Sequence, residues 1–494
     1  MTTSIGRDSV LTAASAREKH PSALSTLFFT EMWERYSYYT MRALLVLYLV
    51  NAVGLQRADA LEIYGTYTGL VYLTPILGGY LADRYFGRRK AILIGGITMA
   101  LGHFAMAFES LLYPALGLLI IGNGFFKPNI SSLLGTLYRE NDPRRDRGFT
   151  IFYMGVNLGA FLSGVIGGTL GEKMGWHWGF ASAGVGMCIG VAQFLSSQHK
   201  LGSAGLPAGS DRLIARDLIE VLTVSFAAIP LVYLVMSAWR GVGPWWTALP
   251  GMGKLGVVAL VIAALWAMSR KRAGALDERL SGEEWQRILA ILIMGFFVVF
   301  FWAGFEQAGG TMNLFADKQT DRMIFGWDMP ATWFQSVNPL FVVLLGPLVS
   351  GLWALLYRRR IEPSAPAKMG LGMIILGLGF IILAIAQARA ETLGKVGIQW
   401  LFIVYIMHTT GELFLSPVGL SMVTKLAPVR LGSMLMGVWY LANAVANYLA
   451  GTLEKMLSGF NIPLYWFLVG SSIGAGALLL LLTPVIKYLM RGKG

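Results

Sequence analysis

The sequence predicts an all-α polytopic membrane protein with 14 transmembrane helices, arranged 6 + 2 + 6 as two pseudo-symmetric bundles with an additional pair between them. Three observations carry that expectation. Apolar runs of bilayer-crossing length recur from end to end, basic residues collect on one side of the alternating loops, and the first two helices are echoed by a later pair. Composition agrees: the chain is 55% hydrophobic and only 14% charged, with a mean hydropathy of +0.59, far from the mix of a soluble domain. The 60 glycines and 15 tryptophans suit close helix packing and interfacial aromatics.

The first twenty-odd residues are polar and lack the apolar core of a signal peptide, so residues 1–23 read as a tail. Membrane-length segments follow near 24–53, 61–83, 90–112, 114–138, 147–170 and 176–198, which make a first bundle over 24–200. Segments near 214–238 and 246–269 form two additional helices with their linkers, 201–280. The second bundle, 281–490, holds segments near 284–312, 331–357, 369–388, 396–426, 431–455 and 463–489, before a short tail at 491–494. Each is long enough to cross about 30 Å of hydrocarbon at 1.5 Å per residue.

An even number of crossings puts both termini on one side. That side receives 28 of the 40 lysines and arginines, including the clusters at 83–90, 139–147, 270–272 and 358–360, against eight on the other. The asymmetry places both termini in the cytoplasm and the protein in the cytoplasmic (inner) membrane. The net charge of +13 is therefore topogenic, and nucleic acid is excluded as a partner. A lone cysteine, Cys188, rules out a disulfide framework within one chain. HExxH, P-loop and glycine-rich nucleotide cradles are absent from the sequence, so ATP-driven pumping and metalloprotease chemistry lack their parts.

A shift of 272 residues superposes Phe29 on Phe301, Glu34 on Glu306, Pro75 on Pro347, Gly79 on Gly351 and Arg88 on Arg360. One register serving two consecutive helices predicts two similar bundles with a site between them, the plan of alternating-access carriers. The first helix carries Glu31, Glu34, Arg35, Tyr38 and Arg42 on one stripe, because offsets of 0, 3, 4, 7 and 11 stay within about a third of the circumference. With Lys127, Glu306 and Glu412, seven charged groups sit inside apolar segments. Unpaired, such a set would cost on the order of 20 kcal/mol, so they must satisfy one another or a ligand. Cations from the first half and Glu306 and Glu412 from the second describe a bipolar cavity, suited to a ligand with an ammonium and a carboxylate. Asp317, Asp321 and Asp328 share a loop with Lys318 and Arg322 and read as solvated charges.

The loop Gly79-Tyr-Leu-Ala-Asp83-Arg84-Tyr-Phe-Gly87-Arg88-Arg89 resembles the signature loop of the major facilitator superfamily. Glu31-Met-Trp-Glu34-Arg35-Tyr36-Ser37-Tyr38-Tyr39 resembles the ExxER[FY]xYY motif of the proton-dependent oligopeptide transporter family, as does Lys19-His20-Pro21 before it. Phe125-Phe-Lys127-Pro128-Asn129, Phe152-Tyr-Met-Gly-Val-Asn157-Leu-Gly159, Phe301-Trp302-Ala-Gly-Phe-Glu306-Gln307, Phe334-Gln-Ser-Val-Asn338-Pro339 and Glu412-Leu-Phe-Leu-Ser416-Pro417 are similar to further signatures of that family. The resemblance covers nearly the whole chain, and the additional helix pair fits bacterial members. Thr40 and Val156 depart from the pattern without changing charge.

This resemblance implies a proton-coupled symporter importing di- and tripeptides, with no cofactor, the proton gradient as energy source and no obligate protein partner. It implies that Glu306 receives the peptide amino terminus with Asn157 and Asn338, and that Arg42 and Lys127 hold the carboxylate. Tyr38, Tyr39, Tyr72, Trp302 and Trp439 are expected to line side-chain pockets, with Glu412 and Ser416 in the substrate-binding set. Glu31, Glu34, Arg35 and Lys127 are the expected proton-coupling group, Glu31 being the first choice for the carrier and Glu34 the alternative. Two gating pairs are expected: Arg42 with Glu306, and Lys127 with Glu412. A nitrate or other anion carrier on the same fold is the alternative within transporters, and an intramembrane hydrolase the alternative outside them. No paired nucleophile and base supports the hydrolase.

Overall fold

The computed structural model describes residues 19–139, 142, 144–206, 213–248, 280–428 and 431–490. Helices α1 (Ala23–Asn51), α2 (Arg57–Leu73), α3 (Pro75–Leu81), α4 (Arg88–Ala105), α5 (Leu112–Thr136), α6 (Arg145–Leu162) and α7 (Trp176–Ser196) build the first bundle. Helix α8 (Ala215–Ala248) follows; then come α9 (Gly282–Phe305), α10 (Thr311–Lys318), α11 (Phe334–Arg358), α12 (Ala365–Leu393), α13 (Gln399–Leu426), α14 (Gly432–Ser458) and α15 (Leu464–Met490). Thirteen of the expected segments thus have helical counterparts; the segment near 246–269 lies almost wholly outside the described residues, as do most of the N-terminal tail and all of the C-terminal one. Among the described residues nine helices are long and apolar enough to cross a membrane. α1 is not one of them, because Glu31, Glu34, Arg35 and Arg42 within it lower its hydropathy.

Two departures from the expected boundaries have physical causes. The ninth expected segment breaks: after α9 a 3-10 turn at Glu306–Ala308 and the pair Gly309-Gly310 interrupt the helix before α10. The second begins earlier, at Arg57, because the charged first turn of α2 has partners across the molecule.

Within the first bundle α1 packs on α6 and α7, α4 on α5 and α7, and α3 on α5. The second repeats the theme, with α12 on α13 and α15, α9 on α14 and α15, and α11 on α13. The additional helix α8 lies against α4 and α5. Lys90 anchors its start through Asp217 at 2.8 Å and Glu220 at 2.6 Å, and Ala228 and Val232 pack on Leu118. Asp83 of the signature loop faces Arg88 at 3.5 Å, so this acid meets the first residue of the next helix.

The bundles meet along two seams at the end of the molecule away from the termini, called here the distal end. On one, α2 crosses α14 so closely that a Cβ on Gly451 would stand 2.3 Å from the Leu61 carbonyl oxygen and 2.5 Å from the Gly65 Cα. Only hydrogen fits there. Arg57 pairs with Glu454 at 2.6 Å, and Lys455 reaches Glu62 at 2.7 Å and Asp59 at 3.2 Å. On the other seam, α6 continues through π-helical turns to Met174 and meets the start of α11. Ser336 Oγ donates to the Phe161 carbonyl (2.6 Å) and Trp333 Nε1 to Thr169 Oγ1 (2.8 Å). Glu172 accepts from the amides of Ala331 (2.9 Å) and Thr332 (2.8 Å) and from the Thr332 hydroxyl (2.6 Å), capping the turn that opens α11 from the opposite bundle. Arg322 stands between Glu172 and Asp317 at 3.5 Å from each, and all three side chains are at most 15% exposed. Asp317 and Arg322 are therefore not solvated loop charges, because burial at the seam forces them to pair; Asp328 is tied to Lys173 at 2.9 Å.

Among the described residues every ion pair between the bundles lies in the distal half. Replacing Gly451 with leucine should hold the distal seam apart. Spin labels on the distal ends of α2 and α14 should report a longer distance than in the parent protein.

Candidate functional site

Two constellations of buried charge line the space between the bundles. They stand about 16 Å apart along α1, which is the rise from Glu31 to Arg42 at 1.5 Å per residue. The first lies within one bundle. Glu34 and Arg35 pair side by side, Arg35 Nε is 3.3 Å from Glu31, and the Arg35 guanidinium lies over the Tyr38 ring at 4.8 Å. From α5, Asn123 donates to Glu34 (3.2 Å) and Lys127 Nζ reaches Glu31 Oε1 at 3.5 Å. Glu31, Glu34 and Arg35 are at most 4% exposed. Lys127 keeps 37% of its side chain accessible, so one member of the group is open to solvent. The second oxygen of Glu31 is buried and accepts no hydrogen bond.

The second constellation joins the bundles. Arg42 Nη2 meets Glu306 at 2.8 Å, and Arg42 Nε donates to the Tyr64 hydroxyl at 3.1 Å. Tyr39 lies beneath the guanidinium at 5.7 Å. The break after Glu306 makes room for this: a Cβ on Gly309 would fall 1.9 Å from the Tyr64 hydroxyl and 3.0 Å from Arg42 Nε. Arg42 and Glu306 are 8% and 5% exposed, so neither charge has water as an alternative partner.

The remaining expected residues are placed as follows. Asn338 donates to Glu412 (2.8 Å) and Thr409 (3.0 Å), and Glu412 lies within electrostatic reach of Glu306 and Arg42. Lys127 and Glu412 are not paired here, since Lys127 is engaged by Glu31 and Glu412 by Asn338. Asn157 donates to the Tyr153 carbonyl of its own helix at 2.9 Å. Tyr72 is half-buried, within reach of Glu306 and Arg42. Trp302 sits edge-on to Phe305 at 5.2 Å. Trp439, buried, packs on Gly419 and walls an apolar cavity of about 230 Å³ with Gly295, Phe296 and Val299 of α9. Ser416 is half-buried on α13, preceding Pro417 within that helix.

Sequence reasoning missed Tyr64, Asn123, Thr409 and Gly309. Asn123 lies one helical turn before Lys127 on the same face, which was a usable signal. Tyr64 sits in a run of apolar and small residues, and nothing local distinguishes it from packing.

The PTR2 model of the POT family matches residues 89–465. The chain is 38% identical to the uncharacterized transporter YclF of Bacillus subtilis over 487 residues, 96% of each protein. It is 34% identical to a di-/tripeptide transporter of Lactococcus lactis subsp. cremoris over 493 residues, 95% of this chain and 96% of that one. A crystal structure of a peptide transporter POT in complex with sulfate superposes with a TM-score of 0.81 at 36% identity, covering 96% of both chains.

Removing one partner of the buried cross-bundle pair should cost more than removing both. Arg42→Ala alone, leaving Glu306 unpaired, should destabilise by about 3–5 kcal/mol, and Arg42→Met with Glu306→Gln should recover much of that. Thermal unfolding of the purified variants checks it.

Proposed function

Because the chain belongs to the POT family of multi-pass membrane transporters, we propose that it imports di- and tripeptides together with protons, by alternating access across the cytoplasmic membrane. The observation that carries the reading is the cross-bundle pair of Arg42 and Glu306, held at 2.8 Å, with the partly exposed ammonium of Lys127 farther along the first bundle. A dipeptide is a zwitterion. Its ammonium can replace Arg42 as the partner of Glu306, with the carbonyl oxygens of Asn157 and Asn338 beside it. Its carboxylate can take the freed Arg42 and Lys127. Glu412 and Ser416 complete the polar wall. The aromatic surfaces of Tyr38, Tyr39, Tyr72, Trp302 and Trp439 receive side chains of varied shape, so the backbone termini fix orientation and the side chains are tolerated. The relative from Lactococcus lactis, a di-/tripeptide transporter, supports the substrate class.

With both termini in the cytoplasm, the distal end faces outward, and the described ion pairs close the chamber to the outside. Arg42 and Glu306 then serve as the outer gate, opened when substrate substitutes for each partner. Lys127 and Glu412 tighten in another state of the cycle, after Glu31 has released Lys127. Glu31 is the proton carrier: its free oxygen accepts the proton, and neutralising it weakens the hold on Arg35 and Lys127. Glu34, bound by Arg35 and Asn123, is better satisfied and is the second candidate. No cofactor enters the cycle. One proton crossing 100 mV supplies about 2.3 kcal/mol and each pH unit adds about 1.36 kcal/mol, enough for useful accumulation.

Proteoliposomes given an inward acid gradient should accumulate dialanine, and Glu306→Gln should reduce this at least about tenfold. Glu31→Gln should abolish gradient-driven accumulation while preserving exchange of labelled for unlabelled peptide. A nitrate carrier would ignore dialanine, and a hydrolase would release alanine without a gradient; either result ends this reading.

A further inference from the structure

Between α10 and α11 the chain forms a small antiparallel hairpin, Met323–Ile324 paired with Trp327–Asp328. Its turn residues, Phe325 and Gly326, have φ of 48° and 83°. Both lie in the left-handed region of a two-residue hairpin turn, where Asn-Gly is the favoured pair. A phenylalanine there is strained, and its ring recovers nothing by packing, because Phe325 is fully exposed. Met323 and Trp327 flank it, 56% and 44% exposed. A strained backbone that displays an apolar ring to the surroundings needs an explanation outside the chain.

The hairpin is rigidly rooted. Arg322 Nη1 donates to the Met329 carbonyl, Lys173 binds Asp328 at 2.9 Å, and Trp327 rests on Trp333 with ring centroids 5.2 Å apart. Thr320–Asp321 pairs with Val396–Gly397, fixing the near side to the α12–α13 loop. Strands of two residues at about 3.3 Å each carry the tip only about 7 Å beyond the base of the hairpin, comparable to the depth of the headgroup layer flanking the hydrocarbon core. Other exposed aromatic rings stand at distal helix ends or loops, Phe108, Trp178, Phe460 and Trp466, as Tyr85, Trp285, Tyr357 and Tyr488 do at the opposite end. Aromatic rings at both ends of the helices suit the two membrane–water interfaces. Lys173, over the Trp327 ring at 5.9 Å and about a third exposed, stands beside the apolar tip with its ammonium shared with Asp328.

We propose that the 323–328 hairpin is an interfacial anchor, inserting Phe325 together with Met323 and Trp327 into the headgroup–acyl boundary of the phospholipid leaflet at the distal end. The partner is the bilayer surface itself. Because Asp328 and Glu172 tie the hairpin and the neighbouring start of α11 to α6, the anchor holds the C-terminal flank of that seam at a fixed depth. This inference needs only a membrane-spanning chain and stands whether or not the substrate is a peptide.

The test uses the full-length protein with Cys188→Ser and a single nitroxide label at Phe325→Cys, reconstituted in phosphatidylcholine–phosphatidylglycerol liposomes. Relaxation by dissolved oxygen should exceed relaxation by a water-soluble nickel chelate several-fold. A control label at Gln56→Cys, an exposed distal loop position, should show the reverse order. A fluorophore at 325 should be quenched more by lipids carrying a nitroxide at acyl carbon 5 than at carbon 12. Nickel accessibility at 325 equal to that at 56 would overturn the proposal, and protection from both reagents would overturn it in favour of a protein partner.

Discussion

The cross-bundle pairing of Arg42 with Glu306 is the constraint on which the rest of this structure depends. Each group is buried in a segment that must cross a membrane, and neither bundle alone supplies its counter-charge. Separating them without a substitute costs several kcal/mol, because the residual charge has no water to turn to. The two halves are therefore bound to each other by a contact that a ligand of opposite polarity at each end can replace without leaving either charge bare. The helix break at Gly309-Gly310 and the hydroxyl of Tyr64 exist around that contact and set its geometry.

The distal seams follow from the same requirement. If the bundles meet at Arg42 and Glu306, the helices beyond them must approach closely enough to shield the pair. Glycine pairing on α2 and α14 gives that approach on one side, and the Glu172 cap on α11 gives it on the other. Capping is apt for a reversible seam. It relies on a few directional hydrogen bonds and one flanking arginine, which separate as a unit, where an apolar interface of similar strength would have to expose a large area. The first constellation is organised differently. Glu31, Glu34, Arg35, Asn123 and Lys127 all belong to one bundle, so their pairings can change without moving the halves, and Lys127 is the partly exposed member of the group.

Much of this was legible in the sequence. Thirteen of the fourteen expected helical segments and the two-bundle plan follow from hydrophobic run length and from the 272-residue register, because a bilayer permits little else. The charged stripe of α1 could be read because ionised groups in apolar helices are costly enough to be conspicuous. What escaped was whatever depends on close approach between distant segments. Tyr64 and Gly309 are ordinary residues until the broken helix brings them within contact of Arg42. Asp317 and Arg322 look like loop charges until Glu172 arrives from the other bundle. Lys127 meets Glu31 of its own bundle rather than Glu412 of the other, and nothing local in the sequence ranks the two acids as its partner.

The central claim is that oppositely charged groups from the two halves read the two ends of a zwitterion, and it is tested most directly by binding. Calorimetry with purified protein should compare dialanine with its N-acetylated and C-amidated forms. If Glu306 and Arg42 recognise the termini, each cap leaves a buried charge unanswered and weakens binding by about 2–5 kcal/mol, a loss of at least about thirtyfold. Equal affinity for the capped and free peptides would contradict the account.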